Sequence, residues 1–222
     1  MILSPAQSEH LENSLRASVA GEVHFDEHVR SLYATDASMY QIEPLAVVIP
    51  RDADDVSAVV KQAAEAGVPV IARGSGTSLS GQSIGPGIIL DFSKYMNRVL
   101  EIDPVARTAR VQPGVILDAL NAELAGHGLQ FGPDVATSSR ANLGGMIGNN
   151  SAGARSVRNG KTVDHVVSLD VVLADGTRAR FEPVTPEQSE QRAGRPGLEG
   201  QIYREMPLIL DPLRDEIIAR YP

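Results

Sequence analysis

The sequence predicts an α+β protein assembled from two α/β halves, and three observations carry that expectation. Strand-like and helix-like segments alternate through most of Leu45 to Phe181. Of the 20 glycines, 13 gather in two stretches, Arg73 to Gly87 and Gly126 to Gly160, which marks two loop systems rather than evenly spaced turns. A length of 222 residues with 42% hydrophobic and 22% charged residues supplies a sizeable core without staples.

Ala6 to Ala20 has Leu11, Leu15 and Val19 at helical spacing and reads as an amphipathic packing helix. Leu45 to Pro50 is a short β-branched run closed by proline. Asp52 to Ala66 then opens on an acidic cap, carries Val56, Val59, Val60, Ala63 and Ala64 on one face, and stops at Gly67. Val68 to Ala72 is the next strand, parallel to its neighbours, and it runs straight into the first glycine loop. Gly87 to Asp91, Arg98 to Ile102 and Arg107 to Gln112 are strand-like and are expected to form one small sheet. Val115 to Ala125 repeats Ile116, Leu117, Leu120 and Leu124 helically and ends at Gly126. Val166 to Leu173 and Thr177 to Phe181 flank Asp175-Gly176, a hairpin signal. Glu182 to Gly200 is polar, rich in proline and glycine, and is expected to be a surface loop or linker. Gln201 to Tyr221 is amphipathic again, with Pro207 and Pro212 expected to interrupt a single helix. The expected organisation is an N-terminal helical segment (1–43), a domain over 44–181 with halves near 44–91 and 95–181, and a linker with a C-terminal helical segment (182–222) from a polypeptide that continues further.

Several function classes are excluded by composition. Lys and Arg number 20 against 28 Asp and Glu, a formal charge of -8, which offers no broad positive field for a nucleic-acid backbone. Cysteine is absent, so disulfides, thiolate metal sites, iron–sulfur clusters and cysteine nucleophiles are excluded within these residues. No stretch approaches the roughly 20 apolar residues of a membrane span, and MILSPAQSEHLE is no signal peptide. The simplest reading is a cytoplasmic chain without a membrane span.

The chemistry is concentrated in two constellations. Arg73-Gly-Ser-Gly-Thr-Ser-Leu-Ser-Gly-Gln82 has three glycines and four hydroxyl residues in ten positions, a composition that exposes successive backbone N–H groups to an anion such as a diphosphate. A Rossmann fingerprint fails because its third glycine falls at Leu79, and a Walker A pattern at Gly160-Lys161-Thr162 fails because its first glycine falls at Arg155. An ordinary glycine-rich surface turn is the competing reading. The second constellation joins Phe131-Gly-Pro-Asp-Val-Ala-Thr-Ser-Ser139 to Asn142-Leu-Gly-Gly-Met-Ile-Gly-Asn-Asn-Ser-Ala-Gly153. Arg140 is the only basic residue between Gly128 and Ala154, so a phosphate held here is held by peptide and hydroxyl groups. Small residues allow close approach to a flat ring, while Thr137, Ser138, Asn149 and Asn150 supply directional hydrogen bonds. Ordinary turn chemistry also accounts for these asparagines. His127 reads first as a helix C-terminal partner rather than a catalytic group, His165 beside Asp164 as a loop terminator, and His10, His24 and His28 have no ligand-like clustering. Asp52-Ala-Asp-Asp55 is helix capping rather than a metal site, and no metal is assigned.

Arg73 to Gly81, Val111-Gln-Pro-Gly114, Gly132-Pro-Asp134, Leu143-Gly-Gly145, Gly148-Asn-Asn-Ser-Ala-Gly153 and Asp170-Val-Val-Leu-Ala-Asp-Gly176 occur in an order that resembles the FAD-binding domain of the vanillyl-alcohol oxidase/p-cresol methylhydroxylase flavoproteins. The nearest branch is similar to the D-lactate, glycolate and D-2-hydroxyglutarate dehydrogenases, and the resemblance covers roughly Pro44 to Phe181. It implies a two-subdomain, non-Rossmann FAD-binding fold with the cofactor between the halves. Gly74, Ser75, Gly76, Thr77 and Ser78 would face the diphosphate, with Arg73 bracing their loop and Gln82 a further cofactor-binding candidate. Gly144 and Gly145 would line the other side, and Pro113 is a further cofactor-binding candidate. Pro133, Asp134, Thr137 and Ser138 would border the cofactor, Asn149, Asn150 and Gly153 would run near the ribityl chain and ring, and Val166 would offer main-chain contacts. His165 is also a candidate for tuning the flavin environment. Relatives with covalent flavin often have histidine where this chain has Thr77, and others use cysteine, so non-covalent FAD is implied.

The resemblance further implies oxidation of a small D-2-hydroxy acid to its 2-oxo acid, with the catalytic residues unassigned and the electron acceptor unknown. Some large bacterial members add an iron–sulfur domain, which could lie only downstream of these residues. A full-length enzyme could associate peripherally with a membrane. The fragment alone is expected to be inactive. Two alternatives stand beside this: an oxidase or dehydrogenase of the same superfamily acting on a sugar or cell-wall precursor, and a non-catalytic nucleotide-binding or assembly module.

Overall fold

A computed structural model describes residues 3–221, which fall into two compact units divided between Val166 and Val167. The hairpin around Asp175-Gly176 makes its contacts within the second of these units.

The first unit opens with helix α1 (Pro5–Ser18), whose N-cap Ser4 and Gln7 satisfy each other's backbone amides in a capping box. Strand β1 (Glu22–His24) and the short helix α2 (Glu27–Leu32) follow, neither expected from the sequence because each is too short to show a period. Then come β2 (Ala46–Ile49), helix α3 (Ala53–Ala66), β3 (Val70–Arg73) and β4 (Ile88–Asp91). These strands make one sheet in the order β1-β2-β4-β3, with β2, β4 and β3 parallel and β1 antiparallel on the edge. The two central strands, β2 and β4, are buried along their whole length, as a parallel sheet requires. Val56, Val59 and Ala63 of α3 and Leu11 and Leu15 of α1 complete this core, α1 packing on α3. Helix α3 begins at the Asp52 cap and ends on Gly67, whose φ of 67° closes the helix in the left-handed region.

Strands β5 (Val99–Asp103) and β6 (Thr108–Val111) form a separate antiparallel pair. The expected three-stranded small sheet is corrected: residues 88–91 join the larger sheet because Ile88 to Leu90 lie between β2 and β3. Helix α4 (Leu117–Ala125) and the glycine-rich helix α5 (Leu143–Gly148) share a second core of Val115, Leu117, Leu120, Leu124, Ala141, Leu143 and Met146. Helix α6 (Ser156–Asn159) and a 3₁₀ turn (Thr162–His165) end the unit.

The second unit contains the hairpin β7 (Leu169–Val172) and β8 (Arg178–Phe181), turning through Gly176 at φ 81°. Two corrections apply beyond it. Residues 182–200 are not one loop: α7 (Pro186–Ala193) stands on a Thr185/Gln188 capping box, a signal the polar composition concealed. Pro207 lies inside α8 (Gly197–Leu210) without ending it, and the break comes at Pro212, in a 3₁₀ turn before α9 (Arg214–Arg220). Arg192 of α7 ties this unit together, donating to the Arg180 carbonyl at 2.7 Å and to the Tyr203 hydroxyl at 2.9 Å and pairing with Glu182.

Candidate functional site

The first glycine loop leaves the carboxyl end of β3, the position at which parallel sheets bind ligands. Arg73 holds the base of this loop. Its guanidinium donates to the carbonyls of Thr35 at 2.8 Å, Ser83 at 3.1 Å and Tyr33 at 3.4 Å, and lies 5.2 Å from the Tyr33 ring centre. With its donors so engaged, Arg73 fixes backbone rather than presenting charge to a ligand. Tyr33 in turn donates to the buried Asp91 at 2.6 Å; burial, and then that carboxylate, push the phenol above its ordinary value. The stretch around Tyr33 to Tyr40 therefore straps the loop from one side, and the Ala37 amide donates to the Gly76 carbonyl at 2.9 Å. The sequence reading missed this strap, because its contacts join residues some forty positions apart and no local pattern marks them.

Within the loop, Ser75 is committed to the protein. Its amide and hydroxyl donate to Asn142 Oδ1 at 2.7 and 2.9 Å, and the hydroxyl also reaches the Arg140 carbonyl at 2.7 Å. Gly74 packs against the same asparagine. Gly76, at φ 66°, turns the chain, and among the described residues the amides of Gly76, Thr77 and Ser78 have no hydrogen-bond partner. Gln82 Oε1 accepts from the Ser80 amide at 3.2 Å and stiffens the end of the loop.

The second wall is α5 and its flanks. Gly144 donates its amide to the Pro113 carbonyl at 2.9 Å, and a Cβ there would lie 2.7 Å from the Pro113 Cβ, so this glycine serves close packing. Gly145 and Gly148 face open space: a Cβ at either would meet nothing within 4 Å. Two glycines with room for a side chain weaken a helix without any packing need for them, which fits a surface kept bare for a flat or bulky ligand.

Asp134 clasps the next segment, accepting from the Arg155 amide at 3.1 Å and from its Nε at 2.8 Å. The Arg155 amide, and then its guanidinium, hold the Asp134 carboxyl below the usual range. Gly153 packs directly on the Asp134 backbone, where a side chain has no room. Pro133 is buried, and Pro133, Asp134, Ser138 and Arg155 line a cleft of about 330 Å³ together with Asp118 and Asn121 of α4. Thr137 caps the turn below it, its carbonyl accepting the amides of Arg140 and Ala141. Asn150 adopts φ 45° and accepts the Val163 amide at 3.0 Å, Asn149 is exposed at the end of α5, and Val166 closes the 3₁₀ turn through Val163. His165 donates from Nε2 to the Asn159 carbonyl at 2.6 Å and packs against Gly132 and the Phe131 ring. Among the described residues no group of three or more His, Asp or Glu side chains is placed to hold a metal ion, and no helix is long and apolar enough to cross a membrane.

Comparison with known proteins agrees with this geometry. The profile of the FAD binding domain family matches residues 44–182. D-2-hydroxyglutarate dehydrogenase of Pseudomonas putida is 40% identical over 217 residues, 96% of this chain and 22% of the relative. Glycolate oxidase subunit GlcD of Bacillus subtilis is 42% identical over 164 residues, 71% of this chain and 34% of the relative. The chain thus spans about a fifth to a third of the length of these curated relatives. Among solved structures, p-cresol methylhydroxylase with substrate bound superposes with a TM-score of 0.67 at 22% identity, over 80% of this chain and 36% of that one. The fold is the α+β, p-cresol methylhydroxylase type, and with its two glycine walls and the family profile over 44–182, the chain belongs to the FAD binding domain family.

Proposed function

We propose that this chain is the FAD-binding part of a flavin-dependent dehydrogenase that oxidises a D-2-hydroxy acid to the 2-oxo acid, with FAD held non-covalently. The observation that carries the proposal is the pairing, within one compact unit, of the unengaged amides of Gly76, Thr77 and Ser78 with the bare face of Gly145. Successive peptide N–H groups suit a diphosphate, and a helix face without Cβ atoms lets the cofactor approach closely. In this reading Ser75, Gly74 and Arg73 shape the loop, Gly144 sets the opposite wall, Pro133, Asp134, Thr137 and Ser138 border the cofactor, and Asn149, Asn150, Gly153 and Val166 lie along its flavin half. When bound, FAD supplies the acceptor for a hydride from the carbinol carbon. The protein's part is to hold the phosphates by neutral donors and to fix the orientation of the cofactor. The substrate class is supported by relatives named for D-2-hydroxyglutarate and glycolate.

Thr77 stands in the glycine loop and the chain has no cysteine, which supports release of the flavin on denaturation. A purified chain should be yellow or should take up FAD from solution. Precipitation with acid should then leave all flavin absorbance in the supernatant. A colourless protein that cannot be reconstituted removes the cofactor reading, and flavin retained on the washed precipitate removes the non-covalent one.

A further inference from the structure

One buried side chain touches both walls of the site. Asn142 is 6% exposed and precedes α5 directly. Its Oδ1 accepts from the Ser75 amide at 2.7 Å and the Ser75 hydroxyl at 2.9 Å, while its Nδ2 donates to the Gly114 carbonyl at 2.6 Å. The orientation of the carboxamide follows from its partners, since a backbone N–H can only donate and a carbonyl can only accept. The Asn142 carbonyl accepts the Met146 amide at 2.9 Å in the first turn of α5, and its backbone bridges to Ile116. Gly74 completes the fit, because a Cβ there would fall on Asn142 Oδ1.

We infer that Asn142 is the positioning residue of the cofactor site, fixing the glycine loop and the Gly144-Gly145 wall at the separation a diphosphate needs. The inference rests on the FAD reading above. A loop with three glycines and four hydroxyl residues in ten positions samples many backbone states, and ordering it at the moment of binding would cost affinity. Asn142 orders it beforehand. It takes Ser75 out of the set of ligand donors and, through that one residue, presents the following three amides to the groove. Its role is served by no charge, so the anion meets oriented peptide dipoles and no side-chain counter-ion from this residue. Aspartate at the position would keep the acceptor but lose the donor to Gly114, and a shorter or apolar side chain would release Ser75.

The test is fluorescence titration of FAD, with competition by ADP and by AMP, on the wild-type chain, Asn142→Ala and Ser75→Ala, together with thermal melting of each apo-protein. ADP and AMP differ in the second phosphate, so the ratio of their affinities reports the diphosphate geometry rather than general folding. Asn142→Ala should weaken FAD by about tenfold or more and bring the ADP-to-AMP ratio toward one. Ser75→Ala retains the amide bond to Asn142 and should weaken FAD by only about threefold. If Asn142→Ala does not fold, Gly74→Ala carries the test, since it displaces the carboxamide while leaving Asn142 in the chain, and the same loss is expected. A folded Asn142→Ala, or in its place Gly74→Ala, with FAD affinity and ADP-to-AMP ratio within about twofold of wild type overturns the inference. A wild-type chain that binds neither FAD nor ADP overturns the cofactor reading instead, so the two failures are distinct.

Discussion

Gly76 meets two demands at once, a φ of 66° and a site where a Cβ would come within 2.7 Å of the Arg73 guanidinium. Asp at this position would push on the brace of the loop and set a carboxylate among the amides that the proposed reading assigns to the phosphates. Gly76→Asp should therefore lower FAD affinity on the order of 100-fold. Gly176→Asp is the control: it also occupies positive φ, at 81°, but lies in the hairpin of the second unit. It should cost about 1 kcal/mol of stability and leave FAD affinity unchanged. Equal affinity in folded Gly76→Asp, measured by flavin fluorescence, would place the phosphates elsewhere. At this scale the glycine and hydroxyl positions were legible in the sequence, because backbone freedom is a property of residue type. The engagement of Ser75 by Asn142 and of Asp134 by Arg155 was not, since it depends on segments brought together only by folding.

Strand β1 sits at the edge of the sheet, and its Glu22 reaches to Lys94 and Tyr95. This carboxylate accepts from the Lys94 ammonium and the Tyr95 hydroxyl, with His24 at 3.3 Å, and the Lys94 bond first, then that of Tyr95, draws its pKa down to about 2. A carboxyl with a depressed folded pKa stabilises the fold above its ordinary pKa of about 4.5, and that contribution fades as pH falls from there toward about 2. Glu22→Gln should melt below wild type at pH 7, with the gap closing between pH 4.5 and about 2; melting curves across that range check it. A gap that widens on acidification would mean that Glu22 is not held as the anion. Among elements, α3 was readable in full because its cap, apolar face and terminal glycine lie within sixteen residues. The sheet partner of β4 was not, because its pairing is with residues 46–48 and 70–73 and adjacency in sequence pointed instead to β5. Helix α7 was hidden by composition, although Thr185-Pro-Glu-Gln188 carried its start signal.

For the whole molecule, binding and turnover are separable expectations. The Pseudomonas putida relative is matched over only 22% of its length, so its reaction belongs to a much longer polypeptide. Turnover needs the substrate carbon held against the flavin and a base within hydrogen-bond reach of its hydroxyl. His165 keeps its Nε2 on the Asn159 carbonyl, and His24 lies against Glu22 and Asp26. Anaerobic mixing of the FAD-loaded chain with D-lactate, glycolate or D-2-hydroxyglutarate should leave the oxidised spectrum unchanged over minutes. Rapid bleaching selective for a D-acid would show that the catalytic groups lie within these 222 residues.

Helix α5 is six residues long, three of them glycine, and is pinned by the buried side chains of Leu143 and Met146. Such a segment has little helical tendency of its own, so its persistence is borrowed from packing on one side and from whatever lies on the other. If FAD lies on that other side, as proposed, flavin supply acts on the lifetime of the polypeptide. Amide exchange at residues 143–150 should slow markedly when FAD is added, and the melting temperature should climb with FAD concentration as mass action requires. On the proposed placement of FAD, a cell short of flavin would hold this chain in a form whose second wall opens often, and proteases would find it first at that stretch.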